Sequence, residues 1–135
     1  MGYQYDLAAK YSQTHAWVRL DGALAVVGVS DYAQKQLSDV MWVELPKVGA
    51  TVAAGDSIAV IESVKATDDA YSPVSGEVVE VNPVLEGKPE LVNQDPFGQA
   101  WLAKLRLTQP AELDQLMDAA AYEAFVQEEV EKGGH

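Results

Sequence analysis

The chain has 135 residues, of which 48% are hydrophobic, and this is enough for one domain with a substantial core. Its formal net charge of −12 disfavours binding to nucleic-acid phosphates and to anionic lipid, so we expect no nucleic-acid partner and no membrane contact. Cysteine is absent, which excludes disulfides, thiolate metal sites and a cysteine nucleophile, so any redox group would have to be a cofactor.

The first residues bear on where the protein works. Tyr3, Gln4, Tyr5 and Asp6 interrupt any apolar stretch, and there is no Arg- or Ser-rich bias. The sequence therefore predicts neither a secretory signal nor a transit peptide. We expect a cytoplasmic bacterial protein, or one of the mitochondrial matrix if the chain is a processed eukaryotic form.

Short strands separated by turns are predicted for the first half of the chain. Residues 17–20 and Leu24–Val29 form a predicted hairpin around Asp21-Gly22. Ser30 is suited to cap a short helix that runs through Tyr32 to Leu37. Further strands are predicted at residues 41–45, 51–52 and 57–63.

The second half begins with strands and ends with a helical pattern. A strand is predicted after Gly76, and residues 101–107 alternate as a half-buried strand does. Between them, residues 83–98 are rich in Pro and Gly and predict a long ordered loop, with at most one helical turn. Helical spacing from Leu113 onwards fits one helix, or two with a break at Asp118, and we expect residues 128–135 to be frayed.

Together these elements predict a mainly β fold with a C-terminal helix. The expected architecture is a flattened β-barrel or a sandwich of two sheets, a barrel-sandwich hybrid, with a lysine at a hairpin tip. We expect one domain over residues 1–135, with a β core at about 10–107 and a helical segment at about 110–132.

Lys65 is the most informative residue, because it lies between two predicted strands in Glu62-Ser63-Val64-Lys65-Ala66. A lysine at a hairpin tip is by itself most often a solvated turn residue. The sequence around it nevertheless resembles the biotinyl/lipoyl attachment domains. In both, three strands follow one another, the first two joined by a turn such as Glu-Ser-Val-Lys-Ala and the last two by a turn such as Ser-Pro-Val-Ser-Gly. Its neighbours Val64 and Ala66 resemble the lipoyl branch, since biotin carriers have Met on both sides of the lysine.

A set of motifs spread over most of the chain resembles one family within that superfamily, the glycine cleavage H-protein family. These motifs run in family order from about residue 10 to residue 126: Lys10-Tyr11, His15-x-Trp17-Val18, Asp31-Tyr32-Ala33-Gln34, Val43-Glu44-Leu45-Pro46, Glu62-Ser63-Val64-Lys65-Ala66, Tyr71-Ser72-Pro73-Val74-Ser75-Gly76-Glu77-Val78, Pro89-Glu90-Leu91-Val92-Asn93 and Asp118-Ala119-Ala120-Ala121-Tyr122. Each motif is short, and the specificity lies in the set.

The resemblance implies a carrier protein and not an enzyme, with lipoate joined to Lys65 as an amide and Glu62, Ser63, Val64 and Ala66 forming the recognition turn. The carrier would shuttle the aminomethyl group of glycine between glycine decarboxylase, aminomethyltransferase and dihydrolipoamide dehydrogenase. A lipoate ligase or a lipoyl/octanoyl transferase would attach the cofactor. The alternatives are a lipoyl relay that donates lipoate to other lipoyl domains and a noncatalytic interaction module. A standalone enzyme is disfavoured, because the sequence shows no recognisable combination of a nucleophile with a base and no set of metal ligands.

The resemblance also implies a cleft that holds the attached group, with Thr14, Tyr32 and Asp69 as candidate lining residues. Tyr32 could equally be a packing aromatic. The chain departs from the family at Ala16, where a Glu is usual, so its hold on a loaded amine should be weaker. On an alternating strand, position 16 points away from Trp17 and could face the cleft.

No metal site is predicted. His15 and His135 are the only histidines and are far apart in sequence. Asp68-Asp69 is interpreted as a solvated pair, and Ser63 has no His–Asp pair beside it to make it a nucleophile.

Overall fold

A computed structural model describes residues 2–133, and its strands form two antiparallel sheets. The larger sheet has six strands in the order β1-β2-β3-β9-β8-β5, and the smaller has three in the order β4-β6-β7. The sheets are sandwich-like and do not close into a strict barrel, so the predicted two-sheet fold is confirmed in its sandwich form. The strands are β1 Lys10–Tyr11, β2 Ala16–Asp21, β3 Leu24–Val29, β4 Val40–Glu44, β5 Thr51–Val52, β6 Ser57–Ser63, β7 Thr67–Tyr71, β8 Gly76–Val81 and β9 Ala103–Leu107.

Helices occupy the connections and the C-terminus. They are α1 Asp31–Leu37, α2 Val84–Gly87, α3 Leu91–Gln94 and α4 Ala119–Gly133, with a 3-10 helix at Pro110–Gln115. Within residues 2–133, every helix is too short or too polar to cross a membrane.

Hairpin β2–β3 shows how the sequence sets the register. Gly22 adopts a φ of 63°, which favours glycine, and Asp21 pairs with Leu24 across the turn. The same register places Gly28 opposite Trp17, where an added Cβ would lie 2.6 Å from the indole ring. Gly28 is therefore required for the indole to lie flat against β3.

Two apolar clusters form the core. One fills the space between the two sheets and includes Val18, Val27, Ile61 and Leu105. The other is largely aromatic and joins the larger sheet to α1 and α4 through Tyr11, Trp17, Tyr32, Tyr122 and Val126. The second cluster attaches the C-terminal helix to the sandwich.

Several local predictions need correction. Residues 83–98 hold two helical turns, α2 and α3, where the composition predicted at most one. The predicted fraying from residue 128 is wrong as far as Gly133, because Val126 is buried and Val130 packs on the aromatic cluster, which holds the last turns in place. Residues 134–135 lie outside the described part of the chain. The break at Asp118 is confirmed, since its carboxylate accepts from Ala121 N at 2.8 Å and caps α4.

Candidate functional site

The turn between β6 and β7 places Lys65 at the tip of a hairpin. Glu62 pairs with Thr67, and Ser63 N donates to Ala66 O at 2.8 Å to close the turn. The Ser63 hydroxyl accepts from the backbone amides of Lys65 at 3.2 Å and Ala66 at 3.1 Å. The Ser63 side chain therefore stabilises the turn, which agrees with its interpretation as a residue that does not act as a nucleophile.

The Lys65 side chain is exposed and unpaired with acids. Its ammonium donates to the backbone oxygen of Gln36, at the end of α1, at 3.5 Å. Among residues 2–133, no carboxylate lies within ion-pair distance of Lys65, whereas ion pairs with Asp or Glu engage Arg19, Lys35, Lys104 and Arg106. The Lys65 amine is thus accessible from solvent.

A cavity of about 270 Å³ lies between α1 and β7, next to this lysine. Its walls are mainly apolar, with Val29, Leu37 and Ile61 among them. Gln36, whose carbonyl Lys65 contacts, also lines it. The sequence candidates Thr14, Tyr32 and Asp69 all lie on its walls, so the structure brings the three together within reach of the hairpin tip.

Position 16 also faces this cavity. Ala16, on β2, is 3% exposed and lines the cavity wall. Trp17 is buried on the opposite face, where its Nε1 donates to Pro96 O at 3.1 Å. A longer side chain at position 16 would extend into the cavity.

Tyr32 lies between the cavity and the N-terminal segment. Its ring lines the cavity, and it packs edge-to-face on Tyr3 with ring centroids 5.1 Å apart. The N-terminal segment is held there because Gln4 N donates to Asp31 Oδ2 at 2.8 Å, beside the start of α1. This segment supports the cavity wall from behind.

A hydrogen-bonded network behind the cavity was missed by sequence reasoning. His15 Nδ1 lies 2.8 Å from the Tyr122 hydroxyl, which lies 2.7 Å from Ser30 Oγ. Ser30 Oγ in turn accepts from Ala33 N at 3.1 Å and caps α1, as the sequence predicted. The long sequence separation of these partners left no local pattern by which to find them.

Burial controls the ionisation of this network. It lowers the pKa of His15, although Glu129, whose Oε1 lies 3.7 Å from Nε2, acts to raise it. It raises the pKa of Tyr122, so the hydroxyl stays protonated and available for hydrogen bonding. His15 also has a φ of 70°, an uncommon conformation for a residue with a side chain. A neutral imidazole therefore forms part of the cavity wall.

Within residues 2–133, no three acidic or histidine side chains are grouped as metal ligands would be. His135, the other histidine of the sequence, lies outside the described residues.

Comparison with known proteins gives a consistent result. The family model described as "Glycine cleavage H-protein" matches residues 9–129. The glycine cleavage system H protein of Symbiobacterium thermophilum is 54% identical over 119 residues, covering 88% of this chain and 93% of that protein. The one from Parvibaculum lavamentivorans is 55% identical over 118 residues, covering 87% and 94%. The crystal structure of a glycine cleavage system H protein from Mycobacterium marinum has a TM-score of 0.79 at 29% identity, covering 97% of this chain and all of the other.

Proposed function

Because the chain belongs to the glycine cleavage H-protein family, we propose that it carries lipoate on Lys65 and shuttles the aminomethyl group of glycine. Membership makes it a carrier component of the glycine cleavage system and not a catalytic enzyme. The observation that supports Lys65 as the attachment site is its place at the tip of the β6–β7 hairpin, exposed and next to an apolar cavity.

The residues present fit such a group. The Lys65 amine has no acidic partner among the described residues, so it can form an amide without breaking an ion pair. The cavity walls are mainly apolar and would accept an alkyl chain and a dithiolane. Ser63 holds the turn in one shape, so the lysine is presented in a fixed direction.

When bound, lipoate supplies a disulfide that accepts the aminomethyl group together with two electrons. The role of this chain is to orient and shelter that group. Val29, Leu37 and Ile61 would exclude water from the cavity, which slows hydrolysis. Asp69 would attract the amine, and the Thr14 and Tyr32 hydroxyls would accept or donate hydrogen bonds at the cavity walls.

The proposed partners are glycine decarboxylase, aminomethyltransferase, dihydrolipoamide dehydrogenase, and a lipoate ligase or lipoyl/octanoyl transferase. The net charge of −12 supports attraction to basic patches on these enzymes. The proposed location is the bacterial cytoplasm. We also propose that residues 1–135 act as one lipoyl-carrier domain, which the shared core between the sheets and the packing of α4 on the larger sheet support.

Peptide mass mapping of protein from a host with an active lipoylation pathway tests this proposal. We expect lipoyl mass on Lys65 alone. Lys65→Arg should fold normally, because an exposed tip residue contributes little to stability, and should carry no lipoate or aminomethyl group. Lys47→Arg, which changes another exposed lysine, is the matched control and should behave as the wild type. Lipoyl mass elsewhere, or full carrier activity in Lys65→Arg, would refute the assignment.

A further inference from the structure

An exposed apolar patch, formed by Met41, Trp42 and Val64, lies beside the Lys65 turn. The three side chains are 61%, 51% and 63% exposed. Val64 N donates to the backbone oxygen of Asp39 at 3.0 Å, which joins the turn to the residue before β4. Trp42 pairs in register with Glu62, three residues before Lys65. The patch is therefore continuous with the turn.

A β-bulge in β4 creates this patch. The register between β4 and β6 shifts between Val40 and Trp42, and Val40 and Val43 are buried while Met41 and Trp42 are exposed. In a regular strand, neighbouring side chains point to opposite faces, so one of the two exposed residues would enter the core. Bulges are known to redirect side chains next to functional sites. Here the bulge turns two adjacent large apolar side chains towards solvent.

The sheet that carries the patch is acidic. Strands β4, β6 and β7 contain Glu44, Glu62, Asp68 and Asp69, all exposed, and no Lys or Arg. Lys65 is the only basic residue between positions 48 and 87. A complementary protein surface would therefore have an apolar recess for the indole, with basic groups around it.

We propose that Met41, Trp42 and Val64 are the docking surface for the enzyme that acylates Lys65. The inference rests on the proposed attachment of lipoate to this lysine. In that reaction the deprotonated Nζ attacks the carbonyl carbon of an acyl adenylate, and a C–N bond forms. The bond from the carbonyl carbon to the phosphate oxygen breaks, AMP leaves with the electron pair, and Nζ loses a proton to solvent.

The position of the reacting atoms favours this partner over the others. An acylating enzyme must bring its carbonyl carbon to Nζ itself, so its surface must cover the turn and the patch beside it. Enzymes that act on the far end of the attached group react at atoms distant from Nζ, so their chemistry does not require contact with the turn. The cavity lies between α1 and β7, whereas Met41 and Trp42 of the patch lie on β4, on the other side of β6. A group sheltered in the cavity therefore leaves the patch uncovered.

The test compares Trp42→Ser with Leu20→Ser, which removes a side chain of similar exposure, 54%, from the other sheet. The unlipoylated chain is incubated with a lipoate ligase, ATP and lipoic acid, and intact mass follows acylation. We expect Trp42→Ser to lower kcat/KM for the carrier by about 30-fold, mainly by raising KM. Loss of an aromatic residue at the centre of an interface has an effect of this size. Leu20→Ser should be unchanged, and Trp42→Phe should recover most of the rate.

Two further measurements separate docking from simple damage to the site. Acetylation of Lys65 by a small amine-reactive reagent should proceed at one rate in all variants, since that reagent needs no docking surface. Thermal unfolding should be nearly the same in Trp42→Ser and Leu20→Ser, because both side chains are about half exposed. A slower reaction with the small reagent in Trp42→Ser would show that the substitution changes the reactivity of the Lys65 amine itself, and it would overturn the docking proposal.

The failure of this proposal can be told from the failure of the proposed function. If the wild type takes no lipoyl group on Lys65, the proposed function fails. If the wild type is lipoylated and Trp42→Ser reacts equally fast, or Leu20→Ser is slowed as much, only the docking proposal is overturned. Normal lipoylation of Trp42→Ser, with poor turnover by glycine decarboxylase or lost self-association, would assign the patch to that enzyme or to a second copy of the chain.

Discussion

Removing the Ser30 hydroxyl should weaken the fold at the cavity wall. Ser30 Oγ caps α1 by accepting from Ala33 N, and it also hydrogen-bonds with the Tyr122 hydroxyl. Loss of a serine cap costs about 1 kcal/mol, and loss of a neutral hydrogen bond costs about 1 kcal/mol. Ser30→Ala should therefore lower the free energy of unfolding by about 2 kcal/mol.

The corresponding shift in melting temperature follows from chain length. With about 2.1 cal/mol/K of unfolding entropy per residue and 135 residues, the total is about 0.28 kcal/mol/K, so the expected drop in Tm is about 7 °C. Ser57→Ala is the matched control, because that exposed hydroxyl bonds only to the exposed Asp69 carboxylate and to a backbone oxygen at 3.5 Å. It should change stability by no more than about 0.5 kcal/mol.

Urea unfolding of a double-mutant cycle separates the two contributions. Combining Ser30→Ala with Tyr122→Phe should cost about 1 kcal/mol less than the sum of the single changes, because both remove the same hydrogen bond. Strict additivity would show that Ser30 and Tyr122 do not interact in solution. A Ser30→Ala effect no larger than that of Ser57→Ala would refute the whole account of this network.

Three further outcomes are expected. The unfolded chain protonates His15 near pH 6.5, but the folded chain does so only at lower pH, so the free energy of unfolding of the wild type should fall more steeply below pH 6.5 than that of His15→Asn. Asn tolerates the positive φ at this position, and the variant leaves Tyr122 and Glu129 of α4 in place. Parallel profiles of unfolding free energy against pH for the two proteins would contradict this. Ala16→Glu should prolong the half-life of the aminomethyl-loaded protein modestly, because a carboxylate that reaches the cavity contributes about 0.2–1 kcal/mol, and an unchanged half-life would mean that position 16 does not contact the amine. Stopped-flow association with glycine decarboxylase should slow as salt rises, since exposed charges are screened over about 10 Å at 0.1 M, and a rate that does not change with salt would exclude steering by the −12 charge.

Sequence reasoning succeeded where the determinants are local. The bounds of β3 and β6, the Ser30 cap and the Asp118 break follow from alternation and from capping side chains within a few residues. The hairpin that carries Lys65 is equally local, because its partners are neighbours in sequence.

The parts that sequence reasoning missed depend on distant partners. β1 is a strand of only two residues that pairs with β2, and it lacks the flanking glycine turns that mark the equally short β5. The exposure of Met41 and Trp42 depends on a register shift against β6, which strand alternation cannot predict. The family resemblance supplied Thr14, Tyr32 and Asp69 as candidates, but the Tyr122 contacts that hold His15 and α1 behind them follow only from three-dimensional packing.

The separation between these partners has a consequence for synthesis on the ribosome. Strands β6 and β7 can pair as soon as residues 57–71 have emerged, whereas Tyr122 meets Ser30 and His15 across 92 and 107 positions. Chains are made from the N-terminus, so every residue of the lysine hairpin leaves the ribosome before its shelter is complete. A nascent or truncated chain that ends before Asp118 would offer Lys65 to an acylating enzyme yet lack the helix that braces the cavity. Such a product could be charged with lipoate while leaving its cargo open to water.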